Sequence, residues 1–412
     1  MDQANVVRGP WYSWQFNFLL LPFRLFAILP LMPKENTYQC LIVESIREIP
    51  RSEWDSLFGP IIESYGYHKT LEESRIKEFA MRYLLIKNRN TTVGIIPFFT
   101  VDFSFATIIQ GKLQKMILSL QNKFKRFMKM RMLFIGAPTA EKLYLGLSKR
   151  EPAAELIKAA LEGISDFAGR QGIGSVLFYN LTSQDAELAA ILRRRGFSKI
   201  ENFPNTLITI QAKSAEEHLD RLSKNTRKDL RRKKKKIEEL RGLKIEVREN
   251  ISGVKEEIFR LYMNNFDDSQ IHFETLTPEF FEKICSNMPG EAKVFLYWQN
   301  DKLISFNLCL IKGDHCIDKF IGFDKELARK HHLYLASFLY NLSWCIEHGI
   351  KYYQLGITDY HPKIRLGAKL LAQHNYLRLS NPLFNFFCRF IAPLTSPVNF
   401  DPTLKSLRKN NA

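Results

Sequence analysis

The chain has six cysteines but no Cys-x-x-Cys pair and no other paired spacing. Most of them sit in apolar runs, so they read as buried free thiols in a reducing compartment and not as a disulfide framework. The nine histidines are scattered, and His331 and His332 are adjacent instead of one helical turn apart, so no metal site is expected. Low-complexity tracts and Gly/Ser-rich linkers are missing, which argues for units that pack against each other and do not swing. Gly172-x-Gly174 is no phosphate loop, because it follows a helical pattern and precedes a strand, the reverse of what that motif needs. Acidic residues are in short supply, 43 against 60 Lys and Arg, for a net charge of +17.

That excess is local. Residues 224–236 hold nine basic residues and one acid, Asp229, and residues 112–131 hold seven basic residues and no acid. Together they account for 15 of the 17 charges, and the rest of the chain is close to neutral. Clusters of this density attract the phosphates of nucleic acid, lipid or cofactor, whereas a merely solvated helix face is the plainer alternative. Residues 112–131 have the apolar spacing of an amphipathic helix, and a single long helix is expected over residues 214–241.

Residues 11–32 are the most hydrophobic stretch, with Arg24 as the sole charge and Pro22 and Pro30 interrupting it. A central arginine costs a spanning helix roughly 2.5–3.5 kcal/mol even on the lenient insertion scale, which disfavours crossing. No basic leader or small-residue cleavage site marks a signal peptide. The aromatics Trp11, Tyr12, Trp14, Phe16 and Phe18 suit a membrane-interfacial segment, and folding back onto the globule suits them equally. Residues 384–394 are similarly apolar around Arg389, so the two stretches either pack together or share one membrane-facing patch.

One pattern occurs twice. A helical stretch ends at Gln171-Gly172-Ile173, a buried strand follows at 175–179, and Arg194-Arg-Gly-Phe-Ser-Lys199 comes later. A second helix ends at His348-Gly349-Ile350, a strand follows at 352–355, and Arg365-Leu-Gly-Ala-Lys369 answers. Glycine takes the left-handed position after a helix cheaply. Hairpins upstream, over 81–99 and 293–310, also correspond. We infer a duplicated α/β unit and four regions. Residues 1–35 form the apolar N-terminal segment, 36–212 the first unit, closed by a strand near 205–211, and 213–380 the second unit, opened by the basic helix. Residues 381–412 form a C-terminal apolar extension and tail.

Chemistry is expected in the second unit. The stretch 325–332, with Arg329, Lys330, His331 and His332, reads as a loop leading to a helix N-terminus, where free N–H groups favour an anion such as a pyrophosphate. After the strand 352–355 a polar loop gathers Asp359, Tyr360, His361, Lys363 and Arg365 at the sheet's carboxyl end, where open α/β sheets place ligands. The first unit's equivalent, Asn180-Leu-Thr-Ser-Gln-Asp185, has one acid and no Tyr, His or Lys.

The order hairpin, strand, basic stretch, helix, Gly, strand and charged loop resembles the GNAT acyltransferase fold. Two copies, separated by a helix beginning Leu222-Ser-Lys-Asn-Thr-Arg-Lys-Asp-Leu-Arg-Arg232, resemble its FemAB/CelD-like branch. Lys363-Ile-Arg-Leu-Gly-Ala368 is similar to that branch's Lys-x-Arg-x-Gly-Ala signature. The resemblance covers roughly residues 38–380. It implies two tandem units, each a mixed central sheet flanked by helices, and transfer of an acyl group from an acyl-CoA co-substrate to a small-molecule or lipid amine. Some relatives use aminoacyl-tRNA instead to build peptidoglycan bridges, and this chain lacks the Arg/Gln-x-x-Gly-x-Gly/Ala pyrophosphate motif. Such a reaction needs a base for the amine proton, for which Asp318, Asp359, Glu274 and His361 qualify, and an acid for the leaving group, for which Tyr360, Tyr352 and Tyr334 qualify. Lys363 and Arg365 are placed to hold an anionic substrate part. The expected setting is the cytoplasm, peripheral on the membrane's cytoplasmic face. The alternatives are a tRNA-dependent aminoacyl transferase and an inert module binding RNA or anionic lipid.

Overall fold

The computed structural model describes residues 38–104, 112–124, 129–268 and 275–410. The apolar segment 11–32 and Glu274 lie outside these residues. The chain opens with β1 (Gln39–Val43), α1 (Arg51–Phe58), α2 (Tyr65–Glu73), β2 (Ala80–Asn88), β3 (Thr91–Ser104), α3 (Lys112–Lys123), β4 (Lys129–Ile135) and the short β5 (Gly146–Leu147). Then come α4 (Ala153–Arg170), β6 (Ser175–Leu181), α5 (Ala186–Arg194), β7 (Ser198–Glu201), β8 (Asn205–Thr209), α6 (Ala215–Asp220) and α7 (Lys224–Glu238). The second half holds β9 (Leu243–Arg248), α8 (Lys255–Asp268), α9 (Pro278–Asn287), β10 (Ala292–Gln299), β11 (Lys302–Lys312), β12 (His315–Phe323), α10 (Lys325–His331) and α11 (Leu333–Glu347). It ends with β13 (Tyr352–Gln354), α12 (Tyr360–Arg365), β14 (Lys369–Leu371), β15 (His374–Leu379), α13 (Pro382–Ile391) and α14 (Pro402–Asn410).

The strands form two mixed sheets of identical plan. The first runs β1-β2-β3-β4-β6-β15-β7, with β5 added beside β3; the second, read from its far edge, runs β9-β10-β11-β12-β13-β8-β14. In each the central pair is parallel, β4 with β6 and β12 with β13, and the remaining pairs are antiparallel. The same order in both bears out the expected duplication. So do the two glycine stops. Gly172 (φ 63°) ends α4 with Ile173 N–H donating to Ala168 O at 2.8 Å, and Gly349 (φ 71°) ends α11 with Ile350 N–H donating to Cys345 O at 2.9 Å. Both are the six-residue closure typical of a helix that stops on a left-handed glycine.

The unit boundary read from the sequence needs correcting. The strand near 205–211, assigned to the first unit, is β8, and it lies in the second sheet between β13 and β14. In exchange β15, from the second half, fills the gap between β6 and β7 of the first sheet. Strand patterning identifies a strand but not its sheet, because alternation fixes which face is buried and not which neighbour pairs. The long helix expected over 214–241 is also two helices: Ser223 interrupts it and caps the N-terminus of α7 through the Thr226 N–H.

Helix α11 is apolar on nearly all sides and packs with Phe295, Ile304, Cys309, Cys316 and Tyr353 in the second sheet's main core. Helix α4 covers the first sheet. A further cluster joins the halves, since Ile62, Tyr67 and Leu71 from α2 and the turn before it pack with Phe280, Phe281 and Ile284 of α9.

Candidate active site

Strands β12 and β13 pair in parallel at His315–Tyr352, Cys316–Tyr353 and Ile317–Gln354, and then part. The next residue on β12 is Asp318. A register shift against β11 at Leu308/Cys309 leaves Lys319 as the extra residue of a bulge. A bulge re-aims side chains, and here Asp318 and Lys319 engage separate partners on either side of the split.

On one side Asp318 is a fully partnered carboxylate. Asn307 Nδ2 donates to both its oxygens at 3.0 and 2.9 Å, Asn341 Nδ2 donates at 3.3 Å and the Tyr353 hydroxyl at 2.8 Å. Tyr297 in turn donates to Asn341 Oδ1 at 2.8 Å, which fixes that amide's orientation. Burial pushes the Asp318 carboxyl up, and the donors from Asn307, Tyr353 and Asn341 pull it back, as does the charge of Lys363. With every neighbouring group a donor, we assign it as the carboxylate.

Lys363 faces this group from α12. The chain leaves β13 through Gly356 (φ 78°), whose carbonyl accepts from the Thr206 hydroxyl at 2.7 Å, and Asp359 (φ 51°) starts α12. The helix turns Lys363 inward, to 3% exposure, and a Cβ placed at Gly356 would lie 3.9 Å from Lys363 Nζ. Lys363 makes no hydrogen bond and no ion pair among the described residues. Burial lowers its pKa to about 8, opposed by the charges of Asp318, Asp359 and Glu141. Tyr334, in the first turn of α11, lies near Asp359, and burial followed by that carboxylate's charge raises its phenol. The arrangement is a buried, unpartnered cation at the opening of a parallel strand pair, with one closed carboxylate behind it and one exposed carboxylate beside it.

The other side of the split is closed. Lys319 pairs with Glu141 at 3.0 Å and Glu63 at 3.7 Å, donates to the Thr139 carbonyl, and lies over the Tyr67 ring at 5.6 Å. Burial disfavours its charge, but Glu141, Tyr67 and Glu63 hold it above the ordinary lysine value. Glu141 also accepts from Asn205 at 2.5 Å and Gln354 at 3.3 Å. This cluster latches the loop after β4 onto the second sheet.

The structure brings together Asp318, Tyr334, Asp359 and Lys363 of the expected residues. The others stand apart. The stretch after Asp359 is a helix and not a loop, and it buries Tyr360, whose hydroxyl donates to the Pro204 carbonyl at 3.0 Å. His361 is exposed. Arg365 bridges to Asp229 of α7 at 2.9 Å. Partial burial opposes the Asp229 charge, yet hydrogen bonds from Lys233 and Arg232 with the Arg365 charge hold it down to about 2. The stretch expected as a loop at 325–332 is helix α10; it contains Arg329, His331 and the exposed Lys330, and His332 (φ 55°) joins it to α11. Burial, then Lys233 and Lys236 of α7, lowers the His332 pKa, so the basic helix lies beside this junction. Lys233 and Lys234 were expected to face phosphates, but they pair with Asp229 at 2.9 Å and Glu216 at 3.0 Å respectively, while Lys235 and Lys236 remain exposed.

Sequence reading missed Asn307, Asn341 and Tyr353, and the Lys319 latch. The available signal was two asparagines inside otherwise apolar runs, since a buried amide needs partners.

The first unit lacks the charged groups. Ile135 pairs with Phe178 as Ile317 does with Gln354, and the residue after Ile135 is Gly136 where the second unit has Asp318. Helix α5 ends with Phe197 N–H donating to Leu192 O at 3.0 Å, and α12 ends with Ala368 N–H donating to Lys363 O at 3.1 Å. Leu192 therefore occupies the place of Lys363.

Comparison with known proteins agrees with this plan. A sequence model of the FemAB_like family, described as peptidoglycan biosynthesis/recognition, matches residues 45–387. Two curated Mycobacterium tuberculosis proteins, from strains CDC 1551 / Oshkosh and H37Rv, are 24% identical over 323 residues. Both carry the provisional name 8-amino-7-oxononanoate synthase 2; the match covers 77% of this chain and 42% of theirs, so the chain spans under half of their length. Among solved structures, FemX aligns over 84% of this chain and 99% of its own with a TM-score of 0.53 at 12% identity. A tandem GNAT protein from the clavulanic acid biosynthesis pathway aligns over the same shares with a TM-score of 0.52 at 11% identity. At such identities these two bear on the fold alone, which is the tandem GNAT fold.

Proposed function

Since this chain belongs to the FemAB_like family of peptidoglycan biosynthesis and recognition, we propose that it transfers an acyl or aminoacyl group from an activated carbonyl to an amine. The observation that carries the reading is Lys363, an unpartnered ammonium inside the split between β12 and β13. Burying a charge without a partner is costly, and such a group is retained where a ligand completes it.

The roles follow from position. The acceptor nitrogen attacks the donor carbonyl carbon, and the carbonyl electron pair moves to oxygen. The Lys363 ammonium stabilises that oxyanion, and the charge of Asp318 favours the protonated lysine. Exposed Asp359, close to Tyr334, accepts the proton that the nitrogen loses. The intermediate collapses by expelling a thiolate or a ribose oxygen, which takes up that proton. The donor is acyl-CoA in the reading we prefer, and no metal is required. Exposed Lys235 and Lys236, the latter near His332, are the cations we assign to the donor's phosphates. The same basic helix favours aminoacyl-tRNA as the second reading, because a polyanion uses a whole helix face. The family description supports an amine of a cell-envelope precursor as the acceptor class.

The test is a transfer assay with acetyl-CoA and with aminoacyl-tRNA on amine-bearing peptidoglycan precursors. Lys363→Met should lower kcat by about 10²–10³-fold, the usual cost of one oxyanion donor, with KM little changed. Tyr360→Phe should leave turnover close to the parent's. Full activity in Lys363→Met, or no transfer from either donor, would overturn the proposal and leave a binding module.

A further inference from the structure

Helix α13 is inverted with respect to the protein beneath it. Its inward residues are the polar Asn385 and the half-buried Cys388. Asn385 Nδ2 donates to the Gly196 carbonyl at 3.0 Å and its Oδ1 accepts from Leu379 N–H at 2.9 Å, so the helix is seated by an amide. Its outward residues are Leu383, Phe384, Phe386, Phe387 and Phe390, exposed by 62, 63, 52, 50 and 63%. Phe386 stacks edge-on against Phe387 at 5.8 Å and Phe390 at 5.2 Å, which makes one continuous aromatic surface. Large apolar patches on soluble proteins mark interaction sites.

The surroundings select the partner. The amide that seats α13 grips Gly196, directly after the exposed run Arg193, Arg194 and Arg195. Exposed Lys199 lies on β7 underneath, and exposed Arg389 is on α13 itself. None of these five cations forms an ion pair among the described residues. Phenylalanines inserted at a surface, with arginines left free around them, match the acyl region and the phosphates of an anionic bilayer. The apolar segment 11–32 offers these cations no counter-charge, since its only charged residue is Arg24. Among the described residues no helix is long and apolar enough to cross a membrane. We propose that α13 lies in the plane of an anionic phospholipid surface, with its phenylalanines inserted and the Arg193–Arg195 run on the headgroups. This docking does not depend on the transferase reading.

Sedimentation of the full chain with phosphatidylcholine vesicles, with and without phosphatidylglycerol, tests it. Binding should need phosphatidylglycerol. Phe386→Ser combined with Phe390→Ser, both at exposed positions, should lower partitioning by roughly 10–100-fold while the thermal unfolding curve stays unchanged. Replacing Arg193, Arg194 and Arg195 by Gln should weaken binding by about fivefold per cation and flatten its salt dependence. Three results overturn the proposal. One is that the parent does not bind. Another is that the Phe double variant binds as the parent does while deletion of residues before Lys34 abolishes binding. The third is that the double variant only converts a dimer into a monomer, which would make the face a contact between two copies of the chain.

Discussion

Lys363 carries its charge inside a nearly closed split, and burial lowers its pKa from 10.5 to about 8. The sign of the linked stability follows. Below about pH 8 the lysine is protonated in both folded and unfolded chains, and the fold bears the full cost of the buried charge. Between about 8 and 10.5 the unfolded chain holds a proton that the folded chain has released, so stability rises with pH across that window. The cost is on the order of 3 kcal/mol. Lys363→Met should therefore be more stable than the parent in urea titrations at pH 7, and the gap should close towards pH 10.5. A variant that is less stable at pH 7 would mean that Lys363 is held by partners and is structural. A residue that weakens the fold while enabling the chemistry is the trade expected of an active site. Lys363 and Asp359 were legible in the sequence because polar residues crowd together just after a buried strand. The roles of their neighbours were not. Tyr360 reads as reactive in a list of residues, and only the helix it begins shows its hydroxyl spent on Pro204.

At the scale of elements, glycines separate what local sequence specifies from what packing specifies. Gly172 ends α4 at φ 63°, and a Cβ there would meet nothing within 4 Å. Its demand is for a left-handed backbone alone, which is why the stop was readable in advance. Gly66 in α2 is different. Its backbone is ordinary, but a Cβ would overlap the Asn287 carbonyl of α9, the backbone of the other half. Gly172→Ala should cost roughly 1–2 kcal/mol, the price of a left-handed non-glycine residue. Gly66→Ala should cost more, about 3 kcal/mol or above, because two helices must separate. Thermal melts of the two variants check the order, and equal losses would mean that α2 and α9 are not in tight contact. No periodicity in the sequence marks Gly66, since a glycine in a helix looks like a defect until its neighbour is known. The break at Ser223 escaped notice for a related reason, as no glycine or proline stands beside it to mark a stop.

Across the whole molecule, the reciprocal placement of β8 and β15 makes the halves interdependent. Strand β7 is held in the first sheet through β15, and β14 in the second through β8. The duplication was visible because repeated helix stops and hairpins are local signals. The exchange was invisible because strand patterning does not say which sheet a strand enters. A fragment ending at residue 212 carries β8 without its sheet and has an open slot beside β6. Fragments 36–212 and 213–412 prepared separately should each give poorly dispersed amide NMR spectra, and mixing them should restore dispersion. A well-dispersed spectrum from either fragment alone would show that the exchange is not needed for folding.

The exchange also sets an order on synthesis. While the chain emerges from the ribosome, β1 to β6 can assemble, but the place beside β6 stays vacant until residues 374–379 have been made. From the making of β6 until that of β15 the first sheet therefore presents an unpaired strand edge, the kind of surface that recruits neighbouring chains on a polysome or the chaperones that shield it. A message broken anywhere before that point yields a product that cannot close its first sheet. Synthesis of β15 is thus the step that lets the first sheet close, and copies truncated before it are left open to proteolysis.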